Sequence, residues 1–429
     1  YSLTSSAFLA FGALYPFSLF KPVFRDSHKC IEKSLYKSFG MCYNKCITMR
    51  GMLRAEEDVM RLFHISDLHL GIKPGGRDIS EDMRTILLDG VLGAAYEKYR
   101  PDGVIIAGDI YDRRTPPAES VALFDEFIEK AAALSLSLYM ISGNHDSAER
   151  VAYGRALFGR CGVHISRPLD GQPPFVSVAE AGGVDIALLP NVTAEAVNAW
   201  FPEEEAQDIS EALRVVFAKA GIPRAGRPCI LAAHQALGNS ADAQAVGKLR
   251  MASPAVFEPF AYTALGHYHT PLSFGESVRY CGSPMCFSRK EARSPQKYID
   301  VIDIDESGAV SVQHEPITPP HPARVVSGTI AELLGAERTE DYVYITITGG
   351  DDVGGYADRL SAVYPNYIDI AYELGGAKEA AQTVQGDERE MGFDELFGGF
   401  YRMRYGEDPD GALASLAQEL FERSMREEL

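Results

Sequence analysis

Hydrophobic and polar positions follow two alternating periods along residues 60–160. Short apolar runs typical of buried strands ("RLFHIS", "GVIIAG" and "LSLYMIS") are separated by helical spacing, first across residues 80–99 and then over "PAESVALFDEFIEKAAAL". This alternation predicts an α/β domain in which helices cover a sheet.

The same kind of pattern continues beyond residue 160. Strand-like runs "FVSVAE", "VDIALLP", "CILAAH" and "YTALGHYH" surround a helical stretch near residues 203–220, and "YIDVIDID" and "VSVQHEPI" close the series. We therefore predict one domain over residues 60–318. The Pro-rich "ITPPHP" predicts a linker, and residues 319–375 have the pattern of a small β-α-β-α-β module.

The two ends of the chain differ from this globular pattern. Residues 1–59 contain "SSAFLAFGALYPFSLF", which resembles the apolar part of a signal peptide but lacks a basic start and a cleavage site. We expect a non-native or disordered leader, because the sequence from Met60 enters a strand directly. Residues 376–429 predict a flexible linker and two amphipathic helices. Their apolar positions are Phe393, Leu396, Phe397, Phe400, Leu413, Leu416, Leu420 and Phe421.

Composition narrows the class of protein. An apolar content of 46% over 429 residues predicts a substantial core, and no apolar run is long enough to predict a membrane span. The seven cysteines form no CxxC pair, which predicts reduced thiols and favours the cytoplasm. The net charge of −19 is unusual for a sequence-independent DNA binder, so DNA binding would require metal ions, a local basic patch or a partner.

Polar residues with metal-binding chemistry lie where the predicted strands end. They are Asp67, His69, Asp109, Asn144, His145, His234, His267 and His269. Carboxyl ends of strands in an open α/β sheet form a ligand-binding crevice, so we expect these side chains to converge. Such a set of potential ligands is too large for one tetrahedral zinc. The mixture of oxygen and nitrogen predicts two ions and suits manganese or iron.

The ordered motifs "DLHLG", "GDIYDR", "GNHD", the isolated His234 and "GHYH" together resemble the calcineurin-like metallophosphoesterases. The resemblance extends from Met60 nearly to the end of the chain, and its ordered set of five motifs is highly specific. It implies a four-layer metallophosphoesterase sandwich, a small α/β capping domain and C-terminal helices. Within the superfamily the likeness is greatest to nuclease subunits of DNA-repair complexes, through "HISDLHLG", "YCGSP" and the trailing domain.

The resemblance also implies roles for individual residues. Asp67, His69, Asp109 and His269 would hold one ion, and Asp109, Asn144, His234 and His267 the other, with two Mn²⁺ expected and Fe²⁺ or Mg²⁺ as substitutes. His145 would contact the scissile phosphate and protonate the leaving oxygen, and Asp146 would orient its ring. Some repair nucleases of the family have histidine where Asp112 stands; here we expect Asp112 to support a histidine.

Partners and substrate are further expectations. A basic run after "YCGSP" predicts contacts to the DNA backbone by Arg289, Lys290, Arg293 and Lys297. The resemblance implies a homodimer, a partner ATPase that binds the C-terminal helices, and a role in DNA repair, recombination and replication. It also implies a 3′-to-5′ double-strand exonuclease that cleaves single strands and hairpins. The alternatives are a phosphodiesterase or phosphatase acting on a small nucleotide or phosphoprotein, and a non-catalytic DNA-end tether.

Overall fold

The computed structural model of the chain describes residues 59–238, 251–305, 307–349, 356–373, 397–398, 401–402, 408–411 and 413–418. The predicted leader, apart from Val59, lies outside these residues. The flexible linker predicted within residues 376–429 and most of the apolar positions of the predicted tail helices also lie outside them. Phe397, Leu413 and Leu416 are described as helical. None of the described helices is long and apolar enough to cross a membrane.

Two six-stranded sheets form the framework of the first part of the chain. The first sheet contains β1 (Met60–Ile65), β2 (Gly103–Ala107), β3 (Ser137–Ile141), β4 (Val163–Ile165), β11 (Lys297–Ile304) and β12 (Val310–Ile317). Its order is β12-β11-β1-β2-β3-β4. Strands β1 to β4 run parallel, whereas β11 pairs antiparallel with both β1 and β12.

The second sheet contains β5 (Ser177–Ala181), β6 (Val184–Leu189), β7 (Cys229–His234), β8 (Tyr262–Gly266), β9 (Leu272–Phe274) and β10 (Val278–Tyr280). Its order is β5-β6-β7-β8-β10-β9, with a parallel centre and an antiparallel strand at each edge. The short strands β9 and β10 were not predicted from the sequence, because three-residue runs give no clear period.

The helices lie between these strands along the chain. They are α1 (Ser80–Arg84), a π-helical stretch (Thr85–Ala95), α2 (Tyr96–Tyr99), α3 (Ala118–Ala133), α4 (Ala148–Val151), α5 (Arg155–Phe158), α6 (Ala194–Trp200) and α7 (Ile209–Ala220). Helix α3 buries Leu123, Phe124 and Phe127, and α7 buries Leu213, Val216 and Phe217. Each thus presents one apolar stripe to the core, as its spacing predicts.

The core lies between the two sheets and between each sheet and its helices. Leu62 and Ile105 of the first sheet pack against Ile230 and Ala264 of the second, and all four are fully buried. A separate cluster joins α6 and α7 to the second sheet. Helices and sheets therefore form four layers, which confirms the predicted fold class.

The second unit has its own parallel sheet and its own core. Strands β13 (Ala323–Gly328), β14 (Tyr342–Thr348) and β15 (Tyr367–Glu373) are joined by α8 (Ile330–Leu334) and α9 (Ala357–Val363). Thr329 begins α8 with a capping box. Leu333, Ile345 and Leu360 are buried at the centre. This is the β-α-β-α-β order that the sequence predicts.

Compact units in the structure do not follow the linear boundaries drawn from the sequence. The first comprises residues 59–72, Asp78–Cys286 and Gln296–Pro320. The second takes in Lys73–Arg77, Phe287–Pro295 and the chain from His321 onward. Two short segments that we placed in residues 60–318 thus belong to the second unit. Arg77 shows why, since its Nε donates to the carbonyl of Tyr367 at 3.2 Å.

Candidate metal centre

The loops after β1 and β2 are joined by main-chain hydrogen bonds. The N–H of Asp67 donates to the carbonyl of Gly108, and that of His69 to the carbonyl of Asp109, both at 3.0 Å. The parallel pairing of the two strands therefore continues beyond their ends. It carries Asp67, His69 and Asp109 into one place.

Several of the candidate ligands have an unusual backbone conformation. The φ angle is +53° at Asp67, +43° at His69, +49° at Asp109 and +107° at His267. Left-handed φ is uncommon for residues other than glycine, and such residues cluster at functional sites. The conformation turns these side chains inward, while the surrounding hydrogen bonds hold it in place.

Two glycines of the motifs leave room for the site. A Cβ atom on Gly143 would lie 2.1 Å from Oδ1 of Asp109, and one on Gly108 would lie 2.4 Å from Nδ1 of His234. Gly108 also has a φ of +88°. The glycines of "GD" and "GNH" are thus required for the close approach of Asp109 and His234.

One group of ligands consists of Asp67, His69 and His269. Their ligand atoms lie within 4.8 Å of one another, and Nε2 of His69 is 3.1 Å from Nε2 of His269. Two nitrogens that bind one ion at about 2.1 Å from adjacent directions would be about 3 Å apart. This spacing fits a shared metal ion.

A second group consists of Asn144, His234 and His267. Oδ1 of Asn144 lies 3.1 Å from Nε2 of His234 and 3.1 Å from Nδ1 of His267. His234 also belongs to a group with Asp67 and Asp109 whose ligand atoms lie within 4.8 Å of one another. Nδ1 of His234 lies 2.8 Å from the carbonyl of Ala107, so that carbonyl orients the ring and leaves Nε2 facing the group.

Asp109 lies between the two groups. Its Oδ2 is 3.5 Å from Nε2 of His69 and 3.3 Å from Nε2 of His234. Its Oδ1 accepts the main-chain N–H of His145 at 2.9 Å. One carboxylate therefore faces both sets of imidazoles, which is the geometry expected of a bridging ligand.

Ser66 and His267 orient Asp67, a support that sequence reasoning missed. Oγ of Ser66 donates to Oδ2 of Asp67 at 2.5 Å, and the N–H of His267 donates to Oδ1 at 2.9 Å. Asp67 and Ser66 are both fully buried. The only available signal was the position of Ser66 directly before the motif.

Burial and neighbouring charge set the protonation of the site. Burial would raise the pKa of Asp109, but the hydrogen bond and charge of His234 hold that pKa below its usual value. Burial would lower the pKa of His234, but Asp109 raises it to about 9. Burial also lowers the pKa of His69 and of His267. Neutral imidazole is the form that binds metal, and burial favours that form at His69 and His267.

The ring of His145 is oriented by a main-chain group and not, as predicted, by Asp146. Nδ1 of His145 lies 3.0 Å from the carbonyl of Asp112. The buried carboxylate of Asp146 instead accepts the N–H groups of Ile110, Tyr111 and Gly143 at 2.9–3.1 Å. Burial raises the pKa of Asp146 to about 6. Asp146 therefore joins the loops after β2 and β3, because its carboxylate satisfies their donors.

Asp112 lies near the histidine pair of the first group. Its Oδ1 is 3.7 Å from Nδ1 of His69, beyond hydrogen-bond distance. His69, Asp112 and His145 nevertheless form a cluster with ligand atoms within 4.8 Å of one another. The carboxylate of Asp112 thus contributes negative charge beside His69, while its carbonyl orients His145.

The four basic residues predicted to contact DNA are in different environments. Lys297 is 2% exposed, and its Nζ donates to the carbonyl of His269 at 2.7 Å. Arg289 is half-buried and binds Asp369, Thr346 and the carbonyl of Ile345. Lys290 and Arg293 are exposed. A surface DNA contact by Lys297 does not agree with its burial, because phosphate cannot reach a buried ammonium.

Comparisons with known proteins agree with this chemistry. Residues 60–271 match the family model described as calcineurin-like phosphoesterase. Residues 319–405 match the model described as the type 5 capsule protein repressor C-terminal domain. The first match implies a divalent-metal site, and the convergent ligands above fit one.

Named relatives cover most of the chain. The SbcD subunit of the nuclease SbcCD from Staphylococcus epidermidis is 28% identical over 324 residues, 73% of this chain and 85% of the relative. The SbcD subunit of the nuclease SbcCD from Staphylococcus saprophyticus is 24% identical over 360 residues, 81% of this chain and 94% of the relative. The solved structure of the Haemophilus influenzae NAD nucleotidase aligns with 80% of this chain and with 71% of the nucleotidase chain, at 13% identity. Its TM-score of 0.29 is too low to indicate a shared fold.

Metal content separates the roles of Asp109 and His145. We expect Asp109→Ala to lose most bound metal, because its carboxylate faces both groups. His145→Ala should keep metal, since its ring binds a carbonyl instead. Mass spectrometry of purified, manganese-loaded proteins measures both. Equal metal in the two variants would contradict the bridging position of Asp109.

Proposed function

We propose that this chain is a metal-dependent DNA nuclease, because residues 60–271 match the model for calcineurin-like phosphoesterases and the curated relatives are SbcCD nuclease subunits. It would act as the nuclease subunit beside an SbcC-type ATPase, on DNA ends and hairpins. The observation that carries the proposal is the convergence of Asp67, His69, Asp109, Asn144, His234, His267 and His269 on one crevice.

The proposed metal content is two Mn²⁺ ions, with Fe²⁺ or Mg²⁺ as substitutes. A mixture of imidazole nitrogen, carboxylate oxygen and amide oxygen supports this choice over zinc held by thiolates. When bound, a pair of such ions polarises the phosphoryl oxygens and lowers the pKa of a bound water. The chain's own contribution is to fix six other ligands around Asp109, whose carboxylate faces both groups.

His145 is the proposed general acid. Its main-chain N–H is tied to Asp109, and its Nδ1 lies 3.0 Å from the carbonyl of Asp112. A carbonyl can only accept, so Nδ1 carries the hydrogen and Nε2 is the nitrogen that takes up or gives a proton. The exposed ring can therefore donate a proton from Nε2 to the leaving oxygen of a phosphodiester.

Two exposed cations are the proposed DNA contacts. Lys290 precedes the short 3₁₀ turn Glu291–Arg293 of the second unit, and Arg293 is its last residue. Arg289 and Lys297 are engaged inside their own units, so we do not retain them as phosphate contacts. Because the chain carries a net charge of −19, a basic surface on the ATPase would supply further DNA affinity.

A homodimer is also proposed. Three large apolar side chains are exposed on α5 and on the link that precedes it, at Tyr153 (81%), Leu157 (67%) and Phe158 (41%). This apolar face follows His145 closely in sequence, and contiguous exposed apolar groups are typical of interaction surfaces. We assign it to a second copy of this chain.

We also propose a cytoplasmic location and a tail that binds the ATPase. Cys229 and Cys281 are buried as free thiols, which supports a reducing compartment such as the cytoplasm. The ATPase would bind the amphipathic tail, most of which lies outside the described residues.

Cleavage assays test the proposed function. The wild-type protein with Mn²⁺ should cleave a labelled hairpin duplex, and the ATPase should increase the rate. We expect His145→Ala to lose about 10²- to 10⁴-fold in turnover with metal retained, the usual contribution of a general acid. Hydrolysis of an aryl phosphodiester without any DNA cleavage, alone or with the ATPase, would favour the small-nucleotide alternative. Absence of both activities would favour the tether.

The DNA contacts are tested by salt dependence. We expect Lys290→Ala with Arg293→Ala to weaken duplex binding and to reduce the slope of log affinity against log salt by about 0.9 for each phosphate that is no longer neutralised. Arg324→Ala with Arg338→Ala is a matched control in the same unit, because those side chains pair with Asp341 and Glu340. An unchanged slope in the first variant would show that Lys290 and Arg293 are solvated surface residues that do not contact DNA phosphates.

Sedimentation tests the apolar face. Leu157→Asp should shift the protein from dimer to monomer, since it places a charge among apolar groups. Leu272→Asp is the control, because Leu272 is also exposed (43%) but lies on β9. A dimer that survives Leu157→Asp would rule out this face.

A further inference from the structure

One lysine of the first unit is buried at the candidate metal centre. Lys297 is 2% exposed, and its Nζ donates to the carbonyl of His269 at 2.7 Å and to Oγ of Ser283 at 3.0 Å. Lysine is almost never fully buried unless its ammonium is paired, because its desolvation is costly. An apolar side chain would fill the space without that cost, which points to a role for the ammonium itself.

Strand pairing explains why Lys297 lies there. β11 begins at Lys297 and runs antiparallel to β1, with Asp300 opposite His64. The beginning of β11 therefore lies beside the carboxyl end of β1, from which the chain continues to Asp67 and His69. Lys297 therefore begins beside the loop that carries Asp67 and His69, and its Nζ contacts the carbonyl of His269.

Two residues of the "YCGSP" motif, Gly282 and Ser283, also lie at the carbonyl of His269. The N–H of Ser283 donates to this carbonyl at 3.1 Å. Gly282 has a φ of +81°, and a Cβ atom there would lie 2.6 Å from the same oxygen. The hydroxyl of Ser283 donates its single proton to the carbonyl of Met285 at 2.7 Å. Its Oγ therefore acts as the acceptor for Nζ of Lys297. We call Gly282, Ser283 and Lys297 the His269 clamp.

We propose that the His269 clamp positions His269 for metal binding, with Lys297 as the positioning residue. The main chain of His269 decides where its ring lies, and its Nε2 must stay 3.1 Å from Nε2 of His69 for the two to share an ion. An ammonium and an N–H that both hold the carbonyl restrict rotation of that peptide. Groups that orient a ligand from behind typically contribute 10- to 100-fold to metal affinity. This inference rests on the proposed function.

Direct metal binding tests the clamp independently of catalysis. Mn²⁺ affinity is measured by calorimetry for the wild type, Lys297→Met and Lys297→Arg. We expect Lys297→Met to bind at least one Mn²⁺ about 10- to 100-fold more weakly, and Lys297→Arg to recover part of the loss. In nuclease assays the Mn²⁺ concentration for half-maximal rate should rise with Lys297→Met, while the rate at saturating Mn²⁺ returns towards the wild-type value.

Controls separate positioning from general stability. Lys130→Met is the matched control, because Nζ of Lys130 also donates to a carbonyl, that of Leu88 at 2.6 Å, on helical segments outside the ligand set. If Lys297→Met does not fold, Ser283→Ala decides, since it removes the second acceptor of the ammonium and should weaken Mn²⁺ binding several-fold.

The outcomes are distinct. Wild-type Mn²⁺ affinity in folded Lys297→Met, or in Ser283→Ala where Lys297→Met does not fold, would overturn the clamp and leave the proposed function intact. A wild-type protein that binds Mn²⁺ but cleaves no DNA would instead overturn the proposed function.

Discussion

The position of one carboxylate organises the rest of this structure. Oδ2 of Asp109 faces His69 on one side and His234 on the other, at 3.5 Å and 3.3 Å. Burying this charge is favourable only if cations or hydrogen-bond donors surround it. The positive φ of Asp109, the absence of a side chain at Gly143 and the N–H of His145 all serve that placement.

Two sheets are needed to surround Asp109. The first supplies loops after β1, β2 and β3, and the second supplies His234 at the end of β7 and the loop after β8. Packing of Ile105 and Leu62 against Ile230 and Ala264 fixes the sheets face to face. The buried core therefore acts on function through distance, because a shift of one sheet against the other would separate Asn144 from His234 and His267.

Local patterns predicted most of the strands, the α/β layers and the convergence of the ligand residues, because these follow from periodicity and from the common edge of parallel strands. The environment of Lys297 was not predictable in this way. A basic run is usually solvated, and only the long-range register of β11 with β1 places this member inside. The same holds for Asp146, whose partners Ile110 and Tyr111 come from another loop.

We propose that the two groups of ligands hold two ions on either side of Asp109. Anomalous scattering at the manganese edge, from crystals grown with Mn²⁺, tests it most directly. Two bound ions should give two peaks roughly 3.5–4 Å apart, one beside His69 and His269 and the other beside His234 and His267. A single peak, or manganese bound away from Asp109, would contradict it.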